Sequence, residues 1–111
     1  MTDQRAEHGP GSDVVAAVRD AIAAIPRGSV ATYGDIGARI GLSPRRVGNL
    51  MGALGDHVAW WRVVRGTGAA ATCHDQTAWQ LLLDDGVAVR GERIDLDRAR
   101  VGAWFRAGDA P

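Results

Sequence analysis

Thr32-Tyr33-Gly34-Asp35-Ile36-Gly37-Ala38-Arg39-Ile40-Gly41-Leu42-Ser43-Pro44-Arg45-Arg46-Val47-Gly48-Asn49-Leu50-Met51 is the stretch that decides the fold. Thr32 with Asp35 three residues on is a capping pair, so a short helix is expected over Tyr33 to Ile40, with Gly41 as its stop. Ser43 caps a second helix, Pro44 takes its first position, where a missing N–H costs nothing, and Gly55 lies beyond its end. Two short helices joined by Gly41-Leu42-Ser43 outline a helix-turn-helix.

On the second of these helices, Val47, Leu50, Met51 and Leu54 follow the i, i+3, i+4, i+7 spacing of a buried stripe. The opposite face then carries Arg45, Gly48, Asn49 and Gly52. Each glycine costs a helix about 1 kcal/mol relative to alanine, so two on one exposed face call for close approach by another backbone. A narrow groove and a tight helix contact both fit such a face. The glycines alone favour the helix contact and do not exclude the groove.

Outward from this centre, residues 1–11, with Gly9, Pro10 and Gly11, read as a disordered leader, and 12–111 as the single domain. From Ser12 or Asp13, the residues Val14, Val15, Val18, Ile22 and Ile25 recur near helical spacing, giving an amphipathic scaffold helix that Pro26 and Gly28 stop. Downstream, Trp61 to Arg65 reads as a strand, Gly66-Thr67-Gly68 as a turn, and Ala69 to Thr72 as loop or a weak return strand. Asp75 is placed to cap a further helix through Leu83 that buries Trp79, Leu82 and Leu83. Val87 to Val89 and Arg93-Ile94 bracket a hairpin turn at Gly91, and a short helical turn follows from Asp97. The expected class is mainly α: a winged helix-turn-helix-like domain with small β elements.

Composition sets bounds on function. With 111 residues, 46% apolar and 23% charged, the chain matches one ordinary globular domain. No run approaches the roughly 18 apolar residues of a membrane span, and the polar N-terminus lacks an apolar signal core, so a cytoplasmic protein without a membrane partner is expected. A single cysteine, Cys73, excludes an internal disulfide and a Cys-based zinc cage. His57, Cys73 and His74 show no metal-ligand spacing, so neither metal nor cofactor is expected. The formal net charge of zero hides a segregation: residues 26–65 hold six arginines against two acids, while both flanks are net acidic. All 13 basic residues are arginine, a bias of the whole chain, though arginine also suits phosphate and base contacts.

Three ordered stretches carry a resemblance: Ile25-Pro26-Arg27-Gly28-Ser29-Val30-Ala31-Thr32-Tyr33-Gly34-Asp35-Ile36, then Pro44-Arg45-Arg46-Val47-Gly48-Asn49-Leu50-Met51, then Trp60-Trp61-Arg62-Val63-Val64. Together they resemble the DNA-binding domain of O6-alkylguanine-DNA alkyltransferases, and more closely their non-catalytic relatives, the alkyltransferase-like proteins. The resemblance spans about residues 13 to 95. It implies a non-enzymatic damage sensor that enters the minor groove with the second helix, rotates an O6-alkylguanine into a pocket, and flags it for nucleotide excision repair proteins.

The resemblance also implies roles for particular residues. Arg45 matches the arginine finger that fills the stack when the damaged nucleotide leaves, and Tyr33 the tyrosine that crowds its 3′ phosphate. Arg46, Gly48, Asn49 and Gly52 complete the implied DNA face, with phosphate as the contact for Arg46. Tyr33, Trp60, Arg62 and Val63 are the implied lesion pocket, Arg62 holding its loop. Packing on the core is the ordinary reading of a first-turn tyrosine such as Tyr33.

Ala59-Trp60-Trp61-Arg62 stands where the catalytic relatives have Pro-Cys-His-Arg, whose thiolate attacks the alkyl carbon. An indole is no nucleophile, so alkyl transfer at Trp60 is chemically excluded. Ala59 and Trp61 depart from the proline and histidine of the pattern. Adjacent residues on an extended segment point opposite ways, which would turn Trp60 to the pocket and Trp61 to the core. The expected partner is double-stranded DNA containing alkylated guanine, and a monomer suffices.

Two rival readings are an alkyltransferase using Cys73, in Thr72-Cys73-His74-Asp75, and a winged-helix regulator without lesion specificity. Cys73 lacks the preceding proline and the following arginine of the reactive motif. The acidic stretches at Asp84-Asp85 and Asp95 to Asp97 are candidates for protein docking, with solvated loops as the plainer reading.

Overall fold

In the computed structural model of the chain, residues 4–70 and 77–111 are described, those at 4–12 and 56 through their backbone alone. The helices are α1 (Gln4–Ala23), α2 (Tyr33–Ile40), α3 (Pro44–Met51), α4 (Ala78–Asp84), α5 (Leu96–Ala99) and α6 (Ala103–Arg106). Short strands β1 (Ala31–Thr32), β2 (Val63–Val64), β3 (Val89–Arg90) and β4 (Arg93–Ile94) lie between them, with 3-10 turns at Gly55–His57 and Trp60–Arg62. No helix among the described residues is long and apolar enough to cross a membrane.

The centre folds as its caps dictate. The Thr32 hydroxyl accepts from the Asp35 N–H at 3.0 Å, and the Asp35 carboxylate accepts from the Thr32 N–H at 3.0 Å, closing the capping box. Gly41 ends α2 at φ +79°, and both Gly41 and Leu42 donate to the Gly37 carbonyl. That turn brings the Leu42 carbonyl into the space a Cβ on Gly37 would occupy. Ser43 caps α3 through the Arg46 N–H at 3.2 Å.

Two departures come at the edges of the expected elements. The backbone is helical from Gln4, so residues 4–11, expected as a disordered leader, extend α1 backward. Gln4-Arg5-Ala6-Glu7 are strong helix formers, a preference that the Gly9-Pro10-Gly11 cluster obscured. The expected strand Trp61 to Arg65 shrinks to Val63–Val64, because Trp60–Arg62 forms a 3-10 turn.

β1 and β2 pair in parallel, Ala31 with Val63 and Thr32 with Val64. Alternation along these strands divides the core. Ala31 and Val63 face a cluster with Val18, Ala21 and Ile22 of α1, Ile25 just beyond it, Ile36, Val47 and Phe105. Val30 and Val64 face a second, with Leu82, Val87, Ile94 and Ala99. Of the stripe expected on α4, Leu82 is fully buried and Trp79 partly, whereas Leu83 is 39% exposed. Its neighbour Leu82 already takes the inward position, and α4 is only seven residues long.

β3 and β4 pair antiparallel around Gly91, forming the wing. The segment after it returns to the centre: Val30 donates to the Ala99 carbonyl, Val101 donates to the Val30 carbonyl, and Phe105 is fully buried against α1 and α2 residues. Folding thus leaves α3 and the start of α2 on the surface, backed by the first core cluster.

Candidate nucleic-acid interface

The exposed face of α3 is the one its spacing predicts. Val47 is fully buried, Leu50 and Met51 are partly buried, and Arg45, Arg46, Gly48, Asn49 and Gly52 are exposed. Gly48 lies against Tyr33: a Cβ there would sit 3.8 Å from the tyrosine Cε1. Tyr33, half-buried at the first position of α2, therefore joins the small-residue face of α3 in one surface. The tyrosine also packs on the first core cluster, so its two readings are compatible.

Charge separates the arginines of the central block. Arg39 donates to the Phe105 and Asp109 carbonyls at 3.0 Å and stacks over the Phe105 ring at 4.8 Å. Arg27 donates to the Asp84 carbonyl and faces Asp85 at 3.3 Å. Arg62 is also bound, as described below. Arg45, Arg46 and Arg65 are exposed and make no side-chain hydrogen bond or ion pair among the described residues. The block's surplus charge is thus presented on α3 and on the turn after β2.

Trp60 sits where α3 meets α4. It is 6% exposed and packs with Ala78, Met51, Val58, Ala70 and Leu81. The turn that places it begins at Ala59, with φ −77° and ψ 62°, and the Trp60 N–H donates to the Val58 carbonyl at 2.8 Å. That is an inverse γ-turn. Its φ lies within the range of a proline ring, and Val58 before it is extended at φ −131° and ψ 164°, as a residue preceding proline must be. The chain keeps the backbone of a proline at Ala59 without the residue.

The two indoles pack edge to face, centroids 5.8 Å apart, rather than on opposite sides of a strand. Trp60 is the more buried, and Trp61, expected in the core, is partly exposed. Trp61 donates its indole N–H to Asp85 Oδ2 at 2.9 Å, the oxygen that also accepts from Arg62 Nε at 2.8 Å. Arg62 adds a bond from a terminal nitrogen to Asp85 Oδ1 at 3.4 Å and lies 5.7 Å over the Trp61 ring. Arg62 therefore fixes the base of the Trp60 turn rather than pointing into an opening. Val63 is fully buried in the first core cluster.

Asp85 is the residue that sequence reasoning missed. Its side chain is 8% exposed and spent on Trp61, Arg62 and Arg27, not offered for docking. Burial works to raise its pKa, but the hydrogen bonds from Arg62 and Trp61 and the charges of Arg62 and Arg27 outweigh it, holding the carboxyl below its ordinary value. Asp95, also flagged for docking, is 7% exposed and paired with Arg90, while Asp84 and Asp97 remain exposed. The acidic stretches gave no sign in the sequence of which residue turns inward.

Cys73, His74 and Asp75 lie outside the described residues. A cavity of about 230 Å³ opens at the wing, lined by Arg90, Arg93, Ile94 and Asp95 among others, and none of the expected site residues lines it.

A helix-turn-helix with a hairpin wing, carrying exposed arginines on its second helix beside a small-residue face, defines a winged-helix nucleic-acid-binding domain. The chain belongs to the family of the 6-O-methylguanine DNA methyltransferase DNA-binding domain, whose pattern it matches over residues 13–87, on the alkyltransferase-like branch. It is 42% identical over 87 residues to the DNA base-flipping protein of Escherichia coli K12, covering 71% of this chain and 67% of that one, and equally to that of Shigella flexneri. Its fold is similar to S. pombe Atl1 in complex with damaged DNA containing O6-carboxymethylguanine, at TM-score 0.70 and 27% identity over 81% of this chain and 95% of that one. A second S. pombe ATL complex with DNA gives TM-score 0.71 and 29% identity with the same coverage.

Proposed function

We propose that this chain is a non-enzymatic sensor of O6-alkylguanine in duplex DNA. It enters the minor groove with α3, rotates the damaged nucleotide out of the stack into a pocket beside Trp60, and holds it. The observation that carries this reading is the single surface formed by Tyr33 against Gly48, with Arg45, exposed and without a side-chain partner among the described residues, one turn away on the same helix face. A face without bulk lets the helix backbone approach a narrow groove. Unstacking a base costs a few kcal/mol, offset by a planar Arg45 guanidinium in the vacated space and by contacts along the bent duplex. Tyr33 crowds the 3′ phosphate and favours the rotated state.

The nitrogen lone pair of the Trp60 indole belongs to its aromatic system and is no substitute for a thiolate in attack on an alkyl carbon, so the modified base stays intact and the complex itself is the signal. Its reader is the nucleotide excision repair machinery, recruited by bent, protein-marked DNA. One monomer suffices for this cycle. The likeness to the E. coli DNA base-flipping protein and to Atl1 bound to damaged DNA supports the reading.

Rotation is tested with 2-aminopurine placed beside O6-methylguanine in a duplex. Its fluorescence rises on saturation with the protein, and the rise is lost in Arg45→Ala and Tyr33→Ala. No rise at saturation contradicts rotation. The intact mass of the protein stays constant in the same mixture, whereas a gain of one alkyl group, lost in Cys73→Ala, would establish an alkyltransferase instead.

A further inference from the structure

We propose that Arg65 is a phosphate-binding residue of the DNA interface, gripping the duplex backbone beside Tyr33; this rests on the DNA-binding reading above. Three observations lead to it.

The first is register. Thr32 of β1 pairs with Val64 of β2 in parallel, so the next residues, Tyr33 and Arg65, leave the pair at the same end. Neighbouring strands run about 4.8 Å apart, so Tyr33, the first residue of α2, and Arg65 start from adjacent ends of the paired strands. Tyr33 in turn lies against Gly48 of α3. This register puts the start of Arg65 beside the surface formed by Arg45, Gly48 and Tyr33.

The second is availability. Arg27, Arg39 and Arg62 are engaged inside the protein, while Arg65 is exposed with no side-chain partner among the described residues. An exposed guanidinium whose backbone starts beside Tyr33 matches a phosphate in shape and charge.

The third is the mount. The Arg65 N–H donates to the Ala69 carbonyl at 3.0 Å, and its own carbonyl accepts from the Gly68 N–H at 2.9 Å. Gly68, at φ +85°, is pressed on β4 so closely that a Cβ would lie 2.8 Å from the Ile94 carbonyl oxygen, and its own carbonyl accepts from the Ile94 N–H at 2.8 Å. The backbone under Arg65 is fixed before binding, so only the side chain has to be ordered.

A phosphate contact carries no information about the guanine O6 substituent. Fluorescence anisotropy is therefore measured on full-length protein and Arg65→Ala with two duplexes, one containing O6-methylguanine and one guanine, between roughly 50 and 200 mM salt. Arg65→Ala weakens binding to both duplexes by the same factor, and the slope of log K against log salt falls by about 0.9. Arg65→Lys restores the slope. An unchanged slope, or a loss confined to the damaged duplex, overturns the assignment. Failure of the lesion-sensor reading would show separately, as equal binding of the two duplexes by the unsubstituted protein.

Discussion

Arg100 closes on Asp35 with two hydrogen bonds, 2.7 Å to Oδ1 and 2.9 Å to Oδ2, across 65 residues of chain. Asp35 is fully buried, caps α2 through Thr32, and takes a second cationic partner, Arg106, at 3.2 Å. The family match ends at residue 87, so both arginines come from a segment beyond it. That segment therefore fastens the start of the helix-turn-helix, two residues from Tyr33. Arg100→Ala should cost roughly 1–2 kcal/mol, the low end for a hydrogen bond to a charged group because Arg100 is 43% exposed. Urea unfolding checks this. A midpoint unchanged from the parent would show that the clamp contributes nothing.

Acid should release both buried carboxylates together. Burial works to raise the pKa of Asp35, but the hydrogen bond from Arg100, the Thr32 N–H, the Arg100 charge and the Arg106 bond outweigh it, as Arg62 and Trp61 do at Asp85. Both groups are held below the ordinary value of 3.8. A lowered folded pKa gives stability that is complete above the unfolded value and is lost as pH falls through the folded one. Melting temperature should be level from neutrality to just above pH 4 and fall below it. Asp35→Asn should flatten that acid limb, at the expense of stability near neutrality.

Gly37 should tolerate no side chain. A Cβ there meets the Leu42 carbonyl that the turn between α2 and α3 brings across it. Gly37→Ala should destabilise the fold by about 1–3 kcal/mol, as overpacking does. Gly41→Ala meets no atom but is strained by its φ of +79°. Thermal melts of the two variants, with Gly37→Ala the lower, check the collision.

Ala59 should accept the proline that the catalytic relatives carry. Its φ of −77° is already within the ring's range, and its N–H donates to no described residue. Ala59→Pro should gain about 0.4–1 kcal/mol by restricting the unfolded chain. A lowered melting temperature would mean that the turn before Trp60 is not the one described.

The helix-turn-helix was legible because its signals are local. Thr32 with Asp35, Gly41, and Ser43 with Pro44 each act on backbone groups within four residues, and they gave α2 both its observed bounds and α3 its observed start; α3 stops at Met51, short of the Leu54 expected on its stripe. The inward and outward faces of α3 followed from spacing alone. The Trp60 region was less legible because distant partners shape it. Nothing within a few residues of Trp61 announces that Asp85, 24 positions on, will accept its N–H and share an oxygen with Arg62. The same holds for Asp35. Its capping role is written in the sequence, while its pairing with Arg100 and Arg106 depends on how the C-terminal segment folds back.

The most direct test is fluorescence anisotropy at one fixed salt concentration, with duplexes identical but for a single O6-methylguanine in place of guanine. Salt is held fixed because phosphate contacts dominate raw affinity. Binding to the damaged duplex should be at least about tenfold tighter, about 1.4 kcal/mol. Equal affinity for the two duplexes would contradict the account, leaving a winged-helix protein that binds DNA without recognising damage.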